Sequence, residues 1–265
     1  MVETKTGGKM KKIFSLALAA ALCAAALGAS VSAHKDFKSW GDVPKSATKI
    51  TLDGKLDEIY KKGLTVDINL ADGNKANAAS GKAYLLWADD GLYCAIEVKD
   101  PDLCAIDPAK NAWEIDGVEI TYDWKNDGSP RHKWMIHYDG TAVKAGDAVL
   151  EAIEVKATST KDSYIIETKA ALPDGVKAGS GIGINLLLDD MSDGNKTRTI
   201  VRSAQSGSAT ENEVAKFDYI TLSDKTVEIT ASKPSNTAPA TADLSIVAAL
   251  LASASGAVVI SKKRR

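Results

Sequence analysis

Asp116-Gly117-Val118-Glu119-Ile120-Thr121-Tyr122-Asp123-Trp124 decides the fold class. Val118, Ile120 and Tyr122 fall on one side of an extended chain, and Glu119 and Thr121 on the other. That period of two marks a strand with one apolar face. His132-Lys133-Trp134-Met135-Ile136-His137-Tyr138 repeats the pattern, with Trp134, Ile136 and Tyr138 on one face and Lys133, Met135 and His137 on the other. The apolar faces are expected in the core. Glu119 and His137 are expected on a polar face, as plain solvent-facing side chains or the floor of a groove.

Outward from these segments the chain reads as strands over 48–52, 64–70, 82–88, 92–99, 116–124, 132–138, 149–157, 163–170, 181–188, 198–203, 217–222 and 226–230. Asp53-Gly54, Asp72-Gly73-Asn74, Asp90-Gly91, Asp139-Gly140 and Asp174-Gly175 supply turns between them. Residues 55–62 offer the single helical turn, and no long amphipathic helix follows any strand, which disfavours βαβ folds. The expected class is all-β, a two-sheet antiparallel β-sandwich of jelly-roll type. Trp87 and Trp134 are expected in its core, and Trp40 as a packing anchor.

The two ends differ from the middle. Lys9, Lys11 and Lys12 precede an uncharged apolar run over 13–27, and Val31-Ser32-Ala33 offers a peptidase site, so residues 1–33 read as a signal peptide with an upstream extension before Met10. Residues 34–228 are expected as the domain. Residues 229–243 are rich in Ser, Thr, Ala and Pro and read as a linker. Residues 244–260 are uncharged and mostly apolar, and Lys262-Lys263-Arg264-Arg265 follows, so 244–265 reads as a hydrophobic anchor with a basic tail. This layout resembles a Gram-positive cell-wall sorting signal. Pro239 and Thr241 match its Leu-Pro-x-Thr-Gly, while Ala238 and Ala242 depart from it. A simple membrane tail is the alternative. Either way the expected location is the outer cell surface, anchored to wall or membrane.

Charge narrows the function. The whole chain carries 33 basic and 35 acidic side chains. The basic residues gather at the ends, leaving 34–241 with a net charge of −8. A domain of that sign repels phosphate backbones, which excludes nucleic acid as a partner. Three His and three Cys without zinc spacing do not make a metal centre of that type. Cys94 and Cys104 read as two isolated thiols rather than a disulfide.

Three segments carry a resemblance: Ile50-Thr51-Leu52-Asp53-Gly54-Lys55-Leu56-Asp57-Glu58-Ile59-Tyr60; Leu85-Leu86-Trp87-Ala88-Asp89-Asp90-Gly91-Leu92-Tyr93 running on to Val98-Lys99-Asp100-Pro101; and Trp113-Glu114-Ile115-Asp116-Gly117-Val118-Glu119-Ile120. In order and spacing the chain resembles the family 9 carbohydrate-binding modules over roughly 45–224. The resemblance implies a sandwich that binds an oligosaccharide or polysaccharide without acting on it. It places the sugar-binding residues at Trp113, Glu119 and Arg198. Trp113 would stack on the apolar face of a pyranose and Glu119 would accept hydrogen bonds from its hydroxyls. Two positions depart. Residues 208–213 have no aromatic where the resemblance implies a second Trp, and Met135 stands where it implies an Arg. No cofactor is required, and structural calcium is compatible with the resemblance. The one oxygen-rich turn, Asp189-Asp190-Met191-Ser192-Asp193-Gly194-Asn195, does not have EF-hand spacing and reads as a plain acidic turn.

Two other functions compete. The sandwich could serve adhesion through protein contacts, its sugar slot degenerate. A glycoside hydrolase is disfavoured: Asp116 and Glu119 point to opposite faces of one strand, whereas hydrolysis needs two carboxylates flanking one bond. No catalytic residue is assigned.

Overall fold

A computed structural model describes residues 37–128, 132–203 and 217–229. Twelve strands make up most of it: β1 (Ser39–Ser46), β2 (Leu64–Ala71), β3 (Ser80–Ala88), β4 (Gly91–Lys99), β5 (Gly117–Asp123), β6 (His132–His137), β7 (Ala142–Gly146), β8 (Ile153–Ser159), β9 (Ser163–Ala170), β10 (Gly181–Ser192), β11 (Thr197–Ser203) and β12 (Asp218–Val227). Among the described residues, helix is confined to short 3-10 turns such as Tyr60–Lys62 and Ala112–Glu114. The signal and tail segments, residues 208–213 and Cys23 lie outside the described residues. Among the described residues no helix is long and apolar enough to cross a membrane.

The strands follow the order β7-β6-β5-β10-β11-β2-β3-β4-β9-β8, with β1 and β12 bridging β3 to β10. One layer is built on β7, β6, β5 and β10, the other on β3, β4, β9 and β8, and β11–β2 turns the corner between them. Directly paired residues share a face, so Val118, Ile136 and Leu188 form one row and Ile120, Trp134 and Leu186 the next. These rows meet Leu85, Cys94, Ala83, Ile96 and Ile166 of the other layer in one core. Tyr164 crosses between layers, its hydroxyl donating to Gly117 O at 3.3 Å. Burying each large side chain here contributes about 1.5–3 kcal/mol. Trp87 and Trp134 are core residues, as expected. Trp124 packs on Tyr122 at 4.9 Å between ring centroids, and Trp40 donates its indole N–H to Asp218.

The β-sandwich expected from alternation is therefore present, with five local corrections. The layers are not wholly antiparallel, because β1 runs parallel to β12 and touches β3 in parallel register. β1 contains Gly41 and Pro44, which read as turn residues. They are accommodated because the β1–β12 register shifts between Ser39 and Gly41 and between Val43 and Lys45. Gly41 takes a φ of 134°, and Pro44 falls inside the second shift, where its missing N–H costs no ladder bond. β7 was also not expected; its Ala-Val-Lys-Ala-Gly is short and pairs only with β6. Residues 150–152 form a 3-10 turn before β8, and one strand replaces the two expected over 217–230.

Finally, 48–52 is not a strand. It belongs to a loop folded over the outer face of β3 and β4, where Ile50, Ile59 and Tyr60 cover Leu86, Tyr93 and Ala95. The loop is fixed by a buried carboxylate. Glu167 Oε2 accepts the backbone N–H groups of Asp53, Gly54 and Lys55 at 2.8, 2.5 and 3.2 Å. Three successive N–H groups converging on one oxygen need a turn through the left-handed region, which Gly54 supplies with a φ of 82°.

Candidate functional site

The face of β5 opposite the core is not solvated. Glu119 is 1% exposed. This corrects the expectation of a solvent face or open groove floor for Glu119, and likewise for His137, which is also buried. Register explains which groups meet there. Glu119 lies between Met135 on β6 and Leu187 on β10, with Lys133 two pairs further along on the same face, opposite Thr121. From that diagonal position Lys133 Nζ comes within 2.5 Å of Glu119 Oε2. Arg198 reaches in from β11: its Nη2 lies 3.3 Å from Glu119 Oε1 and 2.6 Å from Asp189 Oδ1, and its Nε donates to the same Asp189 oxygen at 2.8 Å.

Two acids and two bases thus form one connected array. Burial, and next the neighbouring Glu119 charge, push the Asp189 carboxyl well above the usual carboxylate range, with Arg198 opposing them. Lys133 is nearly as buried as Glu119. The Arg198 side chain is 24% exposed, so it presents the array to solvent. Burial also holds His137 below the ordinary imidazole value.

Trp113 lies on a turn near this array, where the Arg198 charge acts on the neighbouring Glu114. It sits in the turn Ala112–Glu114, closed by a reciprocal cap in which Asn111 donates through its backbone and side-chain nitrogens to Glu114 Oε2 at 3.1 and 2.6 Å. The turn packs against β6 and β10. The Asn111 hydrogen bonds hold the Glu114 carboxyl low, and the charges of Lys110 and Arg198 add to that. Trp113 is 45% exposed, whereas the other four tryptophans of the chain are buried. Of the three residues singled out in the sequence, Glu119 and Arg198 are in contact, and Trp113 lies on an adjoining turn. Lys133 and Asp189 complete the array, and neither was expected in the sugar site. Their signal was available only in part, as Lys133 alternates onto the Glu119 face.

A second buried acidic group lies off this array. Asp100, Asp116 and Asp190 offer oxygens that lie within 4.8 Å of one another. Asp116 accepts Met191 N at 2.5 Å and Cys104 N at 2.7 Å. Asp100 accepts Asp102 N through Oδ1, and its Oδ2 is buried without a hydrogen-bond partner. Burial pushes Asp100 up to about 6 and Asp116 up to about 7. Cys94 and Cys104 are both free thiols, as expected, and burial pushes Cys94 up to about 12.

Residues 52–225 match the family model for carbohydrate family 9 binding domain-like domains. The chain belongs to this family. It is 29% identical over 168 residues to endo-1,4-beta-xylanase C of Paenibacillus barcinonensis, a match that covers 60% of this chain and 15% of the xylanase. It is 34% identical over 76 residues to endo-1,4-beta-xylanase A of Thermotoga neapolitana, covering 28% of this chain and 7% of that one. The match thus spans only a small part of either xylanase. Among solved structures, a family 9 module from Caldicellulosiruptor kristjanssonii in complex with cellotriose aligns with a TM-score of 0.59 at 21% identity, covering 73% of this chain and all of that one. The same module in complex with glucose aligns equally well. That likeness shows a shared fold.

The family 9 resemblance is compatible with structural calcium, and the residues present fit such an ion. The fit lies not in the 189–195 turn taken alone but in Asp100, Asp116 and Asp190, which the topology brings together. The turn's other carboxylates are engaged, Asp189 with Arg198 and Asp193 with Thr197, while Asn195 Oδ1 is buried without a hydrogen-bond partner. Carboxylate oxygens suit a hard cation, and the unpartnered Asp100 oxygen offers a lone pair no protein donor uses. An ion held there supplies positive charge to three buried acids.

Proposed function

We propose that this family 9 domain binds carbohydrate without catalysis, holding a plant-type or wall polysaccharide at the outer cell surface. Trp113 carries the reading. A large ring half-exposed beside a charged array is suited to a pyranose, whose C–H face stacks on the ring while its hydroxyls meet polar groups at the edge. Arg198 is the polar contact that faces the ligand. Glu119, withdrawn from solvent, holds Arg198 in place together with Asp189. Residues 1–33 direct export, and residues 238–265 retain the domain through the wall or the membrane. The xylanase relatives fit an association with glycan degradation.

Affinity electrophoresis and isothermal titration of the purified protein against soluble β-glucan and xylan test the reading. Retardation by one of these glycans is expected. Retardation that survives Trp113→Ala would remove this site. Failure to bind any glycan favours the adhesion reading, to which the absence of an aromatic at 208–213 already lends support.

A further inference from the structure

The Asp100–Asp116–Asp190 cluster has a neighbour that a metal site does not need. Lys75 follows the 3-10 turn Asp72–Asn74, and its ammonium points inward. Its Nζ lies 3.2 Å from Asp190 Oδ2 and donates to Ser192 Oγ at 3.1 Å. Asp190 Oδ2 also accepts Ala79 N at 3.2 Å, so this oxygen is shared between a backbone donor and a lysine ammonium. The Lys75 side chain is 29% exposed and that of Asp190 is 1% exposed, so the lysine reaches from the rim into a buried acid.

We propose that Lys75 is the resident counter-cation of a divalent-cation site. It neutralises Asp190 in the metal-free protein and is displaced when a hard dication such as calcium enters among Asp100, Asp116 and Asp190. Two observations point to the ion. One is the buried Asp100 oxygen that no protein donor satisfies, and the other is the convergence of oxygens from three segments distant in sequence. Two further features make Lys75 its competitor. An ammonium and a dication cannot share one carboxylate oxygen without strong repulsion across a few ångströms of weakly screening protein. The partly exposed stem gives the ammonium a way out to water, where its desolvation is relieved. The site therefore binds calcium more weakly than its carboxylates alone would allow, and the protein stays folded without it. This is independent of the carbohydrate reading.

The test is a titration of the chelator-stripped full chain with calcium by calorimetry and with terbium by luminescence. Wild type is compared with Lys75→Met, Lys75→Arg and Asp100→Asn. Removing one competing charge beside a buried carboxylate should tighten calcium binding about tenfold in Lys75→Met. Lys75→Arg should stay near wild type, and Asp100→Asn should lose binding. Melting curves give a second readout: calcium should raise the melting temperature of Lys75→Met more than that of wild type. A Lys75→Met protein that folds only with calcium supports the proposal, and one that calcium does not stabilise overturns it. Equal calcium affinity in wild type and Lys75→Met overturns it, as does undiminished binding by Asp100→Asn. Failure of both wild type and Lys75→Met to bind either ion overturns it too.

Discussion

Lys133 Nζ lies 2.5 Å from Glu119 Oε2, and neither side chain reaches solvent to any useful extent. An ion pair this deep is weak evidence of stabilisation, because desolvating both charges costs about what their attraction returns. Breaking it is another matter. Lys133→Met should leave Glu119 facing Arg198 alone and cost about 3–5 kcal/mol, measured by urea unfolding. Lys133→Met combined with Glu119→Leu should recover much of that loss. If the single and double variants lose equal stability, the pair is not coupled as the structure shows.

Trp113 should behave in the opposite way. At 45% exposure it contributes little to the core. Trp113→Ala should change unfolding free energy by no more than about 0.5 kcal/mol. The same variant should weaken glycan binding by about 1–3 kcal/mol, the scale of other aromatic stacking contacts. At millimolar affinity, which is only about 4 kcal/mol in total, that loss removes detectable retardation. A destabilised Trp113→Ala protein would instead make the ring a packing element.

How much of this was legible in the sequence varies by element. Val118, Ile120 and Tyr122 announced β5 and its buried face, because a two-residue period has few other physical readings. β1 was not legible, since Gly41 and Pro44 mark turns locally and only pairing with β12 absorbs them. The burial of Glu119 was not legible either. A charged residue alternating with apolar ones reads as solvent-facing, and nothing local says that Lys133 and Arg198 will close over it. The acid cluster shows the same limit. Asp189 to Asn195 drew attention by local density, yet the oxygens that converge come from Asp100, Asp116 and Asp190, joined only by the fold. Trp113 was legible because it lies in a motif. Its exposure, which suits the ring to stacking, needed the structure.

Surface retention is tested by the tail. Deleting 244–265 should release the protein into the medium, because the basic, apolar segment that would hold it is gone. Thr241→Ala separates the routes: lost wall linkage implicates a sortase, and unchanged retention implies a membrane tail. A truncated protein that stays with the cells at full level removes this part of the reading.

Glu167 gives a prediction with a defined pH sign. Burial holds its carboxyl above the usual value of 4.5, outweighing the N–H groups of Asp53 and Gly54 that favour the charged form. The folded protein therefore takes up this proton more readily than the unfolded chain. Its contribution is fully present below about pH 4.5 and is lost as pH rises through the folded value. Glu167→Gln keeps an oxygen for the three N–H groups and removes the titration. Its unfolding free energy should gain on wild type as pH climbs from 4 toward neutrality, then run parallel to it. Glu167→Ala orphans the N–H groups of Asp53, Gly54 and Lys55 and should cost about 2–4 kcal/mol near pH 4, a deficit that narrows as pH rises by as much as Glu167→Gln gains. Denaturant midpoints of the three proteins across this range measure both effects. A gap between wild type and Glu167→Gln that does not change with pH would mean that the folded-state carboxyl titrates as it does in the unfolded chain.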